Sequence, residues 1–285
     1  MQPLTAPTQE IAALAEGRAA VDLSSYRKVQ VQGSDARRWL HDLVTTDVAS
    51  LTPGQARRSL LLDPTGHIRA DVHVACDDDG FWLLQASDQL VHIGEALAPF
   101  VLSSDVRLAD MTSERGLASL GGEDTQGFAP STLGRGHDLL VGAGADLGAL
   151  TDHTAVGADA VEVLRIREGR ARMGHDFDGT SIPAEAGLEV LIDITKGCFL
   201  GQESVARVRN LGHPPRVLLH LTSPQAVAPG AEIANPAGET IGVVTSAATA
   251  EAGGTVLLAS VRWAARDGTL LGPDGTALSP VRKSD

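Results

Sequence analysis

Apolar and polar residues alternate most cleanly from Ile68 to Cys76. Ile68, Ala70, Val72, Val74 and Cys76 share one face of an extended chain, with Arg69, Asp71, His73 and Ala75 on the other. That period of two predicts a β-strand. Turn chemistry brackets it: Asp63-Pro64-Thr65-Gly66 closes a hairpin from a buried run at residues 59–62, and Asp77-Asp78-Asp79-Gly80 leads into an apolar run at 81–85. The aspartate run is read as a turn, not a metal site. Three helices are predicted: one capped by Ser34 with Trp39, Leu40, Leu43 and Val44 inward, one from Ser87 using Leu90, Val91, Ile93, Leu97 and Phe100, and one over 158–168 ended by Gly169. The run from Leu188 to Ile194 reads as a strand. Beyond Gly212 helical periodicity nearly vanishes, and β-prone runs at 217–221, 240–245 and 256–262 predict a small barrel or sandwich of about 70 residues.

Composition narrows the function classes. The 285 residues carry 36 Asp+Glu against 23 Lys+Arg, a formal charge of −13, so nucleic-acid binding through bulk charge is disfavoured. Two cysteines, Cys76 and Cys198, are too few for a disulfide framework or for a four-thiolate iron–sulfur cluster held by one chain. No apolar run approaches the roughly 18–20 residues that cross a bilayer. The first 18 residues lack a basic start and are interrupted by Glu10 and Glu16, so they are not read as a signal peptide. These features predict a cytoplasmic protein with no membrane partner.

The most unusual segment is Lys196-Gly197-Cys198-Phe199-Leu200-Gly201-Gln202-Glu203, placed between the 188–194 run and a helical pattern at 204–209. Gly197 and Gly201 permit backbone conformations that other residues resist. Lys196 is one of three lysines and stands two positions before Cys198, where its ammonium could favour a thiolate. Two readings stay open for Cys198: a reactive thiol, or a small buried hydrophobe of the usual kind. Cys76, on the apolar strand face, is read as core.

The octet resembles the K-G-C-[FY]-x-G-Q-E signature of the YgfZ family of folate-binding proteins, relatives of the glycine-cleavage T-protein. Shorter pieces extend the resemblance over nearly the whole chain: Gly33-Ser34-Asp35 to Leu40, Thr45-Thr46-Asp47-Val48, the hairpin from Leu60 to Val74, Ile182 to Leu188, and Ile241 to Ser246. The resemblance implies an α+β fold of two interleaved ferredoxin-like lobes plus a small C-terminal β-barrel, set at residues 1–112, 113–212 and 213–285. It also implies a tetrahydrofolate-binding factor that supports assembly or repair of iron–sulfur clusters in client proteins, with Cys198 as key residue and Lys196 beside it. Gln202 and Glu203 would anchor the following helix or hydrogen-bond the loop, and are grouped with the cofactor-binding residues. The alternative is a folate-dependent aminomethyltransferase of the T-protein type, an enzyme. Ala70-Asp71 keeps one acid where T-proteins have two, and Asp176 stands where they place a pterin-binding glutamate. Asp71 and Asp176 are thus the implied pterin ligands, against the plainer readings of a solvated strand face and ordinary loop polarity. Arg207, in a cluster with Arg209, His213 and Arg216, is assigned to the folate glutamate tail, against a solvated helix face.

Overall fold

A computed structural model describes residues 2–102, 104–122, 127–146, 148, 152–251 and 253–281. The chain divides into two units, one of residues 8–158 with 190–204, the other of residues 1–7, 159–189 and 205–285.

The first unit holds helices α1 (Thr8–Ala15), α2 (Ala36–His41) and α3 (Ile93–Leu97) and two sheets. Strands β1 (Ala19–Asp22) to β9 (Thr154–Val156) build them: β2 (Arg27–Gln32), β3 (Ala56–Leu62), β4 (Ile68–Cys76), β5 (Phe81–Gln85) and β6 (Arg107–Asp110) form a five-stranded sheet in the order β3-β4-β5-β2-β6. With β7 (Arg115–Leu120) and β8 (His137–Gly142) the other order is β8-β7-β1-β9. Consecutive strands β1 and β2 thus enter different sheets. The core of the larger sheet gathers Val29, Val31, Leu61, Ala70, Val72, Val74, Cys76, Phe81 and Leu83 under Trp39, Leu40, Leu43 and Val44 of and after α2. Both predicted hairpins form, with Asp63 and Asp77 accepting backbone N–H groups of their own turns.

Three expectations change. Ser34 does not cap α2: Asp35 is the N-cap, and the Ser34 hydroxyl donates to Asp105 Oδ2 at 2.7 Å. The helix expected from Ser87 begins only at Ile93, because the carbonyls of Ser87, Gln89 and Val91 accept from the Arg27 guanidinium instead of from helical N–H groups. Leu90 is left 97 % exposed. The 188–194 run is no strand; Glu189–Leu191 is a single 3-10 turn, and the Asp193 N–H goes to Thr45 O at 3.0 Å.

In the second unit, helix α4 (Ala158–Arg167) ends at Gly169, whose φ is +71°, as predicted. Helix α5 (Gln202–Leu211) leads to strands β10 (Arg216–Ser223), β11 (Glu232–Ala234), β12 (Thr240–Thr249), β13 (Thr255–Arg262), β14 (Leu270–Leu271) and β15 (Ala277–Pro280). They close into the expected barrel, β10-β13-β12-β11-β14-β15, around Leu221, Ile233, Val244, Leu257, Ala259 and Val261. No helix among the described residues is long and apolar enough to cross a membrane.

Candidate functional site

The octet lies on a loop seated against the β3–β4 hairpin. Gly201 has φ +82°, and a Cβ there would stand 2.5 Å from Asp63 O and 3.0 Å from Leu62 Cβ, so only glycine lets the loop come this close. Leu200 joins the core beneath α2, Phe199 is buried, and the Ser204 hydroxyl donates to Pro64 O at 3.2 Å. Just before these anchors Gly197 has φ +104°, and Cys198 is exposed while Cys76 is buried. Of the two readings of Cys198, the buried hydrophobe is excluded. Gln202 and Glu203 open α5, Gln202 half-buried and Glu203 exposed, where a carboxylate meets the positive end of the helix dipole.

Lys196 points another way. Its ammonium donates to the backbone carbonyl of His41 and lies 5.4 Å from the centre of the Phe199 ring. His41 Nε2 lies 3.0 Å from Lys196 O, and since a carbonyl only accepts, that nitrogen carries a proton. Burial pulls the amine down to about 8 from 10.5, against the upward pull of Asp42, Asp47 and Asp193.

Asp71 belongs to a polar group on the sheet face opposite the core. Cross-strand pairing aligns Arg58, His73, Leu84 and Lys28 in one row over β3, β4, β5 and β2. Arg58 binds Asp71 through two parallel hydrogen bonds, 2.9 and 2.6 Å, a bidentate geometry suited to guanidinium and carboxylate. Gln89 clasps the Asp71 backbone, accepting from its N–H at 3.0 Å and donating to its carbonyl at 2.7 Å. His73 and Lys28 are buried, and burial lowers both, His73 from 6.5 to about 4. His73 Nε2 donates to Pro130 O at 2.7 Å, and the Lys28 ammonium to the carbonyls of Ser24 and Tyr26. The polar strand face is therefore covered at His73 and Ala75 and partly at Asp71, while Arg69 stays exposed. Alternation of residue types could not reveal the covering layer.

Asp176, in the second unit, has a fully buried carboxylate. Oδ1 accepts from the hydroxyls of Thr245 and Ser246, and Oδ2 from the Arg165 guanidinium and the Arg172 N–H, between 2.6 and 3.0 Å. A carboxylate offers about four acceptor positions. All four are filled within the protein. Arg165, which the sequence reading missed, also pairs with Glu162 and donates to Ser246 Oγ, tying α4 to strand β12. Arg207 and Arg209 are exposed on α5. The rest of that basic cluster is dispersed: Arg216 binds Ser260 on the neighbouring strand, and His213 stacks on Trp263 at 5.3 Å.

A mixed α/β architecture ending in a closed six-stranded barrel is the fold of the glycine-cleavage aminomethyltransferases. The structure of aminomethyltransferase T from Bartonella henselae superimposes with a TM-score of 0.83, covering 99 % of this chain and 91 % of that one at 22 % identity. Residues 4–127 match the GCVT N-terminal domain. Its relatives divide by name. A putative chloroplastic transferase of Arabidopsis thaliana is 25 % identical over 81 % of this chain and 62 % of its own length. A mitochondrial iron–sulfur cluster assembly factor of Mycosarcoma maydis, an IBA57 homolog, is 27 % identical over 65 % and 52 %. The tRNA-modifying protein YgfZ of Colwellia psychrerythraea is 23 % identical over 71 % of both chains. The match thus spans only about half to two-thirds of the first two relatives.

Proposed function

We propose that this protein binds a tetrahydrofolate and supports assembly or repair of iron–sulfur clusters in client proteins, using Cys198. The observation that carries the reading is the exposed Cys198 on a glycine-bounded loop whose neighbours on both sides are anchored. A thiolate is a soft ligand suited to iron, and one exposed cysteine can contact a client's cluster transiently without owning it. Lys196 would hold the loop, and Gln202 and Glu203 would fix the start of α5.

For the folate, a pterin presents an amide-and-amine edge that one carboxylate can grip. Arg58 takes one acceptor position on each Asp71 oxygen, leaving one on each, so Asp71 suits that edge. Asp176, saturated, does not, and we assign it a structural role. The two free cysteines favour a reducing compartment such as the cytoplasm.

Replacing Cys198 with Ala and assaying iron–sulfur enzymes in cells lacking the native protein tests the proposal. Loss of client activity is expected; full rescue would remove Cys198 from the mechanism. The second reading, an aminomethyltransferase, is favoured by the fold and by the transferase relative. It requires ammonia release from an aminomethylated lipoyl carrier in the presence of tetrahydrofolate. The pair Ala70-Asp71 weighs against it, because only one carboxylate stands where the T-protein type carries two.

A further inference from the structure

We propose that Lys196 and His41 form a two-point latch that sets the position of the Cys198 loop, and that Lys196 is a positioning residue, not the polarising partner of the thiol. The inference rests on reading that loop as functional, but its test uses neither folate nor client.

The two residues are 155 positions apart and exchange reciprocal bonds, the Lys196 ammonium to His41 O and His41 Nε2–H to Lys196 O. A third strap lies just before them, where the Asp193 N–H meets Thr45 O at 3.0 Å. Asp193 Oδ1 in turn accepts from the Thr195 N–H and hydroxyl at 2.8 and 2.7 Å, which stiffens the chain between the straps. The His41 ring is held on its other side, where Nδ1 lies 3.3 Å from Asp47 Oδ1 and 3.3 Å from the Ala49 N–H.

The charge balance points the same way. Burial works against the charge of the ammonium, and the carboxylates of Asp42, Asp47 and Asp193 act on it in the opposite sense. Its contact within the octet is the face of Phe199, a buried ring, whereas the intervening Cys198 faces solvent. Lys196 and Phe199 thus form the inward side of the loop. An ammonium committed to a carbonyl and to aromatic and carboxylate neighbours contributes placement more than field at the sulfur.

The test combines thiol titration with local exchange in the full chain. The pH profile of Cys198 alkylation by iodoacetamide, read by mass spectrometry to separate it from buried Cys76, is measured for the native protein, Lys196→Met, Lys196→Arg and His41→Gln. Hydrogen exchange over residues 190–201 is followed in parallel. The expected result is an unchanged alkylation midpoint in all four. Exchange should be about tenfold faster in Lys196→Met and His41→Gln, and return toward native in Lys196→Arg, which can still donate to the carbonyl. Lys196→Met removes the donor to His41 O, while His41→Gln keeps that backbone carbonyl and alters only the donor to Lys196 O. Because the two bonds act as one latch, the double variant should exchange no faster than the faster single variant. A midpoint raised by about one unit in Lys196→Met but not in His41→Gln would make Lys196 the thiol's activator and overturn the proposal. Native exchange in both single variants would overturn it equally. Because Lys196→Arg keeps the charge and a donor, it decides the matter even if the methionine variant does not fold.

Discussion

Arg58 holds Asp71 face to face, Nε on Oδ1 and a terminal guanidinium nitrogen on Oδ2, across neighbouring strands β3 and β4. Each oxygen keeps one acceptor position, so the pair can be both an internal tie and a binding edge. Asp71→Asn should weaken tetrahydrofolate binding about tenfold or more in calorimetric titration, since one charge-assisted hydrogen bond contributes about 1.5–3 kcal/mol. Native affinity in that variant would remove Asp71 from the folate site.

Asp176→Ala should behave differently. It strips four donors of their partner and leaves part of a buried charge cluster uncompensated, for an expected loss of about 3 kcal/mol in urea unfolding. Tetrahydrofolate affinity measured well below the unfolding midpoint should stay near native. Lost affinity at unchanged stability would refute the structural role.

The two glycines of the octet should respond unequally to alanine. At Gly201 both the positive φ and the 2.5 Å approach to Asp63 O oppose a Cβ, and the expected loss is about 2 kcal/mol or more, with the loop lifted from the hairpin. At Gly197 a Cβ meets nothing within 4 Å, so only the φ of +104° resists, at about 1 kcal/mol. Thermal unfolding of the two variants side by side provides the comparison.

Two buried groups give stability opposite dependences on pH. His73 is lowered from 6.5 to about 4 by burial, so its contribution is complete above 6.5 and is lost as pH falls toward 4. Asp138 is raised from 3.8 to about 7, also by burial, against hydrogen bonds from Thr132 and Ser119 that favour its charged form. Its contribution is complete below 3.8 and is lost as pH rises through 7. One proton corresponds to about 1.4 kcal/mol per pH unit, so between pH 4 and 6.5 the two slopes offset. Relative to native protein, Asp138→Asn should gain stability with rising pH across that window and His73→Gln should lose it. Parallel pH profiles for the two variants would contradict the assignment.

The hairpins around Ile68–Cys76, the end of α4 at Gly169 and the barrel beyond Gly212 were all legible in the sequence, because turn residues and alternation act between near neighbours. The octet was legible too, since its glycines and lone lysine stand out locally. What surrounds those residues was settled only by the folded chain. Arg27 reaches about 60 positions along to take the carbonyls that a helix from Ser87 would have used. His41 engages Lys196 from 155 positions away. Asp176, which resembled a ligand, is saturated by hydroxyls about 70 residues away together with Arg165 and the Arg172 N–H. Pattern records which groups each residue carries, whereas the partner a buried charge finds depends on which distant segments share its low-dielectric surroundings, and that is decided only when they pack.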